Sequence, residues 1–95
     1  MPTGSGNFCV YTIYRKDDGR DVYIGATHYP TCRKRQHSHR FDWDIYDMLV
    51  IHRYQTREES LASEKELIQL YQPEFNIIYT TEEGKAAALK NYHWL

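Results

Sequence analysis

The apolar residues of the chain gather in short runs set apart by turn-forming residues, and one later stretch carries them at helical spacing. Cys9-Val10-Tyr11-Thr12-Ile13-Tyr14 is dense in β-branched and aromatic side chains, which suit a pleated strand. Lys16-Asp17-Asp18-Gly19-Arg20 follows, then Val22-Tyr23-Ile24-Gly25. Strand, Asp-Gly turn and strand predict a β-hairpin. Pro30 fits the first position of a helix, where its missing N–H forfeits no bond, and a helix is predicted from about Pro30 to about Arg40. Between Ile45 and Tyr54 the run Met48-Leu49-Val50-Ile51 is apolar at both parities, the pattern of a central strand covered on both faces. Thr56, with Glu59 three residues on, has the spacing of a capping box, so Arg57 to Tyr71 reads as the longest helix, ended by Gln72-Pro73.

From Ile77 the pattern gives a short extended piece, an acidic turn closing at Gly84 and a helix around Lys85 to Asn91. No repeat, low-complexity tract or linker divides the chain. Residues 1–95 are therefore expected to form one domain. Composition agrees, since 41% hydrophobic residues and nine tyrosines are too many core-forming groups for a disordered chain. Cys9 and Cys32 have neither the spacing of a zinc knuckle nor the number for a disulfide framework, and no C-x-x-C or H-E-x-x-H unit is present. Residues Met1 to Asn7 carry no basic-then-apolar leader, and no window approaches a membrane span. A cytoplasmic protein with reduced thiols is the expectation.

A formal net charge of −1 argues weakly against a nucleic-acid partner, yet its distribution argues for one. Between His28 and Arg40 stand Arg33, Lys34, Arg35 and Arg40 with no Asp or Glu, in a chain that holds thirteen acids. This basic segment is either a solvated helix face or an electrostatic footprint for phosphates.

The long helix holds the most informative anomaly. Its apolar stripe runs Leu61, Leu67, Ile68 and Tyr71, and Glu64 falls inside it, whereas Glu66 is rotated away toward solvent. A carboxylate beside a core stripe costs several kcal/mol unless a cation or hydrogen-bond donors compensate it. Arg33 and His37, four apart on the earlier helix, could supply that charge. From spacing alone, a structural Arg–Glu pair and a chemical site remain equal readings.

Val10-Tyr11 ahead of Tyr23-Ile24-Gly25, Arg33 ten residues beyond Tyr23, His37 four further, then Glu64 and Asn76, resembles the GIY-YIG nuclease family. The segment from Ser63 to Asn76 is especially similar to that of the family's bacterial excision-repair members. The resemblance covers about Cys9 to Asn76, leaving 77–95 as an extension. It implies a small α+β domain with a three-stranded antiparallel sheet flanked by helices. It also implies a phosphodiester-cleaving endonuclease using one Mg²⁺ or Mn²⁺ per site, on nucleic acid, with DNA ahead of RNA. Tyr11 and Tyr23 would be the motif tyrosines, Arg33 the phosphate-facing arginine, Glu64 the single metal ligand and Asn76 the residue that braces the site. Tyr11 would act as the base, Tyr23 would position water or phosphate, and His37 would relay a proton or touch a phosphate. Arg33, Lys34, Arg35 and Arg40 would grip the backbone.

The chain departs from the family pattern in places. Cys9 stands where the first motif usually has glycine, Tyr14 offers a second tyrosine beside Tyr11, and Ala26 occupies a position where some members carry lysine. Arg35 would replace Arg33 in another helix register. A plain two-residue turn at Asp18-Gly19 would put Tyr11 and Tyr23 on opposite faces, so a shared site requires an odd-length loop or a bulge. With no separate DNA-binding domain in view, targeting would come from a homodimer or a separate partner. Two further classes stand beside the nuclease: a binding module of the same fold without catalysis, and an interaction domain using Trp43, Tyr92 and Trp94.

Overall fold

The five residues 16–20 reverse the chain, with the Arg15 N–H donating to Arg20 O at 2.9 Å and the Gly19 N–H donating back to Arg15 O at 2.8 Å. Gly19 sits at φ 72°, a left-handed conformation that costs glycine little and other residues more. The loop joins β1 (Phe8–Arg15) to β2 (Asp21–Thr27). The computed structural model describes residue 4 and residues 6–76, so the expected elements beyond Ile77 lie outside the described residues. After β2 come α1 (Pro30–His37), β3 (Tyr46–Tyr54) and α2 (Arg57–Tyr71). The three strands form one antiparallel sheet in the order β2-β1-β3, and the fold is α+β. No described helix is long and apolar enough to cross a membrane.

The sheet's centre is β1, not the Ile45–Tyr54 segment whose apolar run suggested it. Cys9, Val10, Tyr11 and Ile13 are buried, whereas no β3 residue is, and Leu49 is 53% exposed. The two properties are physically separate. Apolar residues at both parities report cover on the two faces of a strand, but not hydrogen-bonded neighbours on its two edges. Among the described residues only one β3 face is covered, where Met48 and Val50 pack on the main core; on the other, Leu49 and Ile51 border an open hollow with Leu67 and Tyr71 of α2.

The main core lies on the face of Tyr11 and Ile13, closed by Val22 and Phe41, with Tyr23, Trp43, Tyr46 and Phe75 packed around them. Phe41 meets Tyr46 and Phe75 edge-on, with ring centroids 5.3 and 5.4 Å away. Alpha-helix α1 buries only His37 and stops there rather than at Arg40, because the Arg40 and Phe41 N–H groups both turn back to His37 O. That turn delivers Phe41 to the core.

Thr56 caps α2 as its spacing predicts, accepting the Glu59 N–H at 3.2 Å and donating its hydroxyl to the Glu59 carboxylate at 3.0 Å. Gln72, left-handed at φ 46°, ends the helix with its N–H on Ile68 O. The inward face of α2 is rotated from the expected stripe. Ser60 is buried and Ser63, Glu64, Leu67 and Ile68 are half-buried, while Leu61 and Tyr71 point largely outward. Ser60 tolerates burial because its hydroxyl donates to Arg57 O at 2.7 Å. Glu64 stays on the inward face, and Glu66 is exposed.

Candidate active site

The hairpin carries the irregularity that brings Tyr11 and Tyr23 together. Ile13 pairs with Tyr23 but Tyr14 pairs with Asp21, so Val22 is the extra residue of a β-bulge. The register then sets Tyr11 opposite Gly25, on the face shared with Tyr23 two residues away. Ring centroids of Tyr11 and Tyr23 are 6.2 Å apart. Tyr14 lies on the other face, beside Thr12 and Ile24. The glycine is a steric requirement: a Cβ at position 25 would overlap the Tyr11 ring at its hydroxyl end.

His37 closes a triangle with these rings, with centroids 5.7 Å from Tyr11 and 5.2 Å from Tyr23. Its Nε2 lies 2.7 Å from the Tyr11 hydroxyl oxygen. The imidazole is 0% exposed, and burial, aided by Arg33 and then Arg40, pushes its pKa down to about 4. It is neutral at neutral pH. A neutral imidazole does not supply the positive charge expected beside Glu64, and its full burial against the Tyr11 hydroxyl fits a proton relay better than a contact to phosphate.

Burial, then Tyr23, pushes the Tyr11 phenol up, with Glu64 adding and Arg33 opposing. Burial and Glu64 push Tyr23 up, and Arg33, Arg40 and a hydrogen bond with Tyr11 oppose. Burial likewise raises Glu64, against the Ala26 backbone N–H that donates to it and against Arg33. Arg33 is thus the charge that Tyr11, Tyr23, His37 and Glu64 all sense. Arg35, one position beyond Lys34, is exposed and perturbs none of the four.

No family profile, characterised protein or solved structure matches the chain.

The side chain of Asn76 grips the outer edge of β2. Its Oδ1 accepts the Ile24 N–H at 2.7 Å and its Nδ2 donates to Ile24 O at 2.9 Å, clamping both backbone groups of the sheet-edge strand one residue before Gly25. Glu64 occupies the same edge through Ala26. Cys9, in place of a glycine, is buried and accepts from Arg53 Nη1 at 3.2 Å.

The basic segment divides. Lys34 is drawn to Asp47 at 3.1 Å and lies over the Trp43 ring at 5.2 Å, so its charge is locally neutralised. Arg40 lies against Phe41 and is felt by Tyr23 and His37. Arg33, Arg35 and Arg40 are left as the segment's main basic surface.

Among the described residues no three His, Cys, Asp or Glu side chains gather into a metal-ligating set. Glu64 is a single half-buried carboxylate, a donor set that suits Mg²⁺ or Mn²⁺, since Mg²⁺ commonly uses one or two carboxylates and takes its other oxygens from water and phosphate. One cation escaped the sequence reading. Arg57 lines a hollow shared with Ala26 and Arg33, and its spacing of seven from Glu64, two helical turns on one face, was the available signal.

Proposed function

We propose that this chain is a Mg²⁺- or Mn²⁺-dependent endonuclease of the GIY-YIG type, cutting phosphodiester bonds in DNA in a cytoplasmic setting where Cys9 and Cys32 remain free thiols. The observation that carries the reading is the gathering of a buried neutral His37 and two tyrosines on one face of β1 and β2, with Arg33 and the carboxylate of Glu64 close enough to act on both phenols. A purely structural cluster needs no carboxylate kept at a desolvation cost beside two phenols whose ionisation it opposes.

Glu64 would hold the metal, which when bound supplies charge neutralisation on the phosphoryl and leaving oxygens and acidifies a nearby water. Arg33 offers a planar, permanently charged fork to the phosphate oxygens. The tyrosines divide the proton work differently from the first expectation. Tyr11 is 1% exposed, so Tyr23, half-buried, is the hydroxyl that water reaches first. Since burial keeps both phenols protonated at neutral pH, neither serves as a standing phenolate. The Tyr23 oxygen instead takes the water's proton as its own passes to Tyr11, and Tyr11 passes one on to Nε2 of His37. This relay uses the His37 tautomer with its proton on Nδ1. Asn76 holds the strand that carries Tyr23. Arg57, beside Ala26, provides a cation where some family members have lysine.

Incubation of the purified protein with supercoiled plasmid, single-stranded DNA and RNA, each with Mg²⁺ and with chelator, tests the reading. Metal-dependent cleavage of DNA is expected. Retention of DNA in a gel without cleavage of any substrate overturns the enzymatic reading and leaves a binding module.

A further inference from the structure

The hollow beside the candidate site has a chemistry of its own. It measures about 370 Å³, within the range of small-ligand pockets, and lies between the end of β2, the start of α1 and the first turns of α2. Phe8, His28 and Tyr29 line it with a row of rings: Phe8 and His28 are stacked, with centroids 4.6 Å apart at 16° between planes, and Tyr29 is tilted against His28, 4.6 Å away at 35°. The turn that presents them is held by the Tyr29 N–H, which donates to Thr27 Oγ1 at 3.1 Å. Tyr29, at the outer end of the row, is 65% exposed. Arg33 and Arg57 line the hollow, and no described carboxylate does.

Flat rings next to two guanidinium groups match a nucleobase with its phosphate. Stacking on an aromatic platform is worth about 1–3 kcal/mol per base and ignores base identity, and each arginine can meet a phosphate oxygen. A base inside a duplex has its faces covered by its neighbours, so only an unpaired or unstacked nucleotide can use the platform. The place of this hollow fixes which nucleotide it serves. Arg33 and Ala26 belong both to the hollow and to the candidate active site, and Ser60, at the hollow's wall, precedes Glu64 by four residues, about one helical turn. The occupant is therefore adjacent to the phosphate being cut.

The geometry points to a nucleotide-binding subsite at Phe8, His28, Tyr29 and Arg57 that holds an unpaired base next to the scissile phosphate. The substrate class is then DNA with a single-stranded stretch, gap, flap or branch at the cut, rather than intact duplex. This rests on the nuclease reading for the words "next to the scissile phosphate", but the base platform is testable without cleavage.

Fluorescence anisotropy in chelator, with a labelled single-stranded oligodeoxynucleotide and the perfect duplex of the same sequence, separates the outcomes. The parent should bind the single strand more tightly. Replacing both exposed rings, His28→Ala with Tyr29→Ala, should weaken single-strand binding about ten- to a hundredfold and leave duplex binding within about twofold. Tyr29→Phe should bind as the parent does, and thermal denaturation should show all variants folded. Arg57→Ala should reduce the salt dependence of single-strand binding by about one counterion. Equal losses on both substrates, an unchanged single-strand affinity, or a parent that prefers duplex would overturn the subsite. Parallel plasmid nicking keeps the two claims apart. A parent that nicks with Mg²⁺ but shows no ring-dependent single-strand binding loses the subsite alone. Ring-dependent binding without metal-dependent nicking by the parent keeps the base platform and loses the nuclease.

Discussion

Acidification from about pH 7.5 to about pH 5 should weaken this fold through His37. In the native state the imidazole stays neutral down to about pH 4, whereas in the unfolded chain it takes a proton near its ordinary value of 6.5. With the folded value depressed, the group's contribution is fully present above 6.5 and is lost as pH falls toward 4, because only the unfolded state gains the proton. At pH 5 the unfolded chain is favoured by about 1.5 powers of ten in proton binding. At 1.36 kcal/mol per power of ten, the native state loses about 2 kcal/mol there and about 3 kcal/mol by pH 4. Other groups must be separated from this. The raised Glu64 carboxyl acts oppositely, taking its proton first in the native state, while the depressed Asp47 and Asp17 lose their contributions only at lower pH. Urea denaturation of the parent and of His37→Gln across this range cancels them. The gap in stability between the two should narrow by about 2 kcal/mol between pH 7.5 and 5. A gap independent of pH would refute a neutral buried imidazole and the proton-accepting role that depends on it.

Gly25→Ala should cost about 1–3 kcal/mol, since the added methyl meets the Tyr11 ring, and chemical denaturation checks it; a neutral change would mean that the ring does not cross the glycine. Asn76→Leu removes the partners of both Ile24 backbone groups, at about 1–3 kcal/mol for each group left buried and unpaired, and the Ile24 amide should exchange with deuterium faster than in the parent; unchanged protection would remove Asn76 as the clamp. Arg33→Ala should chiefly lower turnover, whereas Arg35→Ala should chiefly weaken binding and reduce its salt dependence by about one counterion; matching losses in both variants would end the distinction.

The hairpin and the α2 cap were legible because each follows from local spacing, and an odd-length loop or a bulge followed once the family resemblance put Tyr11 and Tyr23 in one site. The structure takes the bulge, and Val22 is its extra residue. The order of strands was not legible. The apolar run at Met48 to Ile51 suggested a central strand covered on both faces, but β3 lies at the sheet's edge with Met48 and Val50 on the core and Leu49 exposed. The turn of α2 was misread because Leu61 and Tyr71 suggested an inward stripe, while the position closest to the sheet went to Ser60, small and able to bond its own helix. For the site, helical spacing singled out Glu64 and a possible partner in Arg33, and Asn76 entered only through the family resemblance, but neither told the electrical state of His37. That state depends on burial and on Arg33 and Arg40, which only the tertiary arrangement brings around it. The aromatic platform was also hidden, since Phe8 and His28 are twenty residues apart and meet only across the β1–β2 pairing.

Glu64→Gln with supercoiled plasmid and Mg²⁺, measured beside thermal denaturation of the same sample, tests the nuclease most directly. Glutamine keeps an oxygen for the Ala26 N–H and removes the charge a hard cation needs. Because burial raises the Glu64 carboxyl, the ionised form is disfavoured in the native state, so the variant should be at least as stable as the parent at neutral pH. Nicking should nevertheless fall by about a thousandfold or more, on the scale of several kcal/mol of lost charge stabilisation, with DNA binding retained. A variant that melts lower and still nicks in proportion to its folded fraction would contradict the account, making Glu64 part of a structural ion pair.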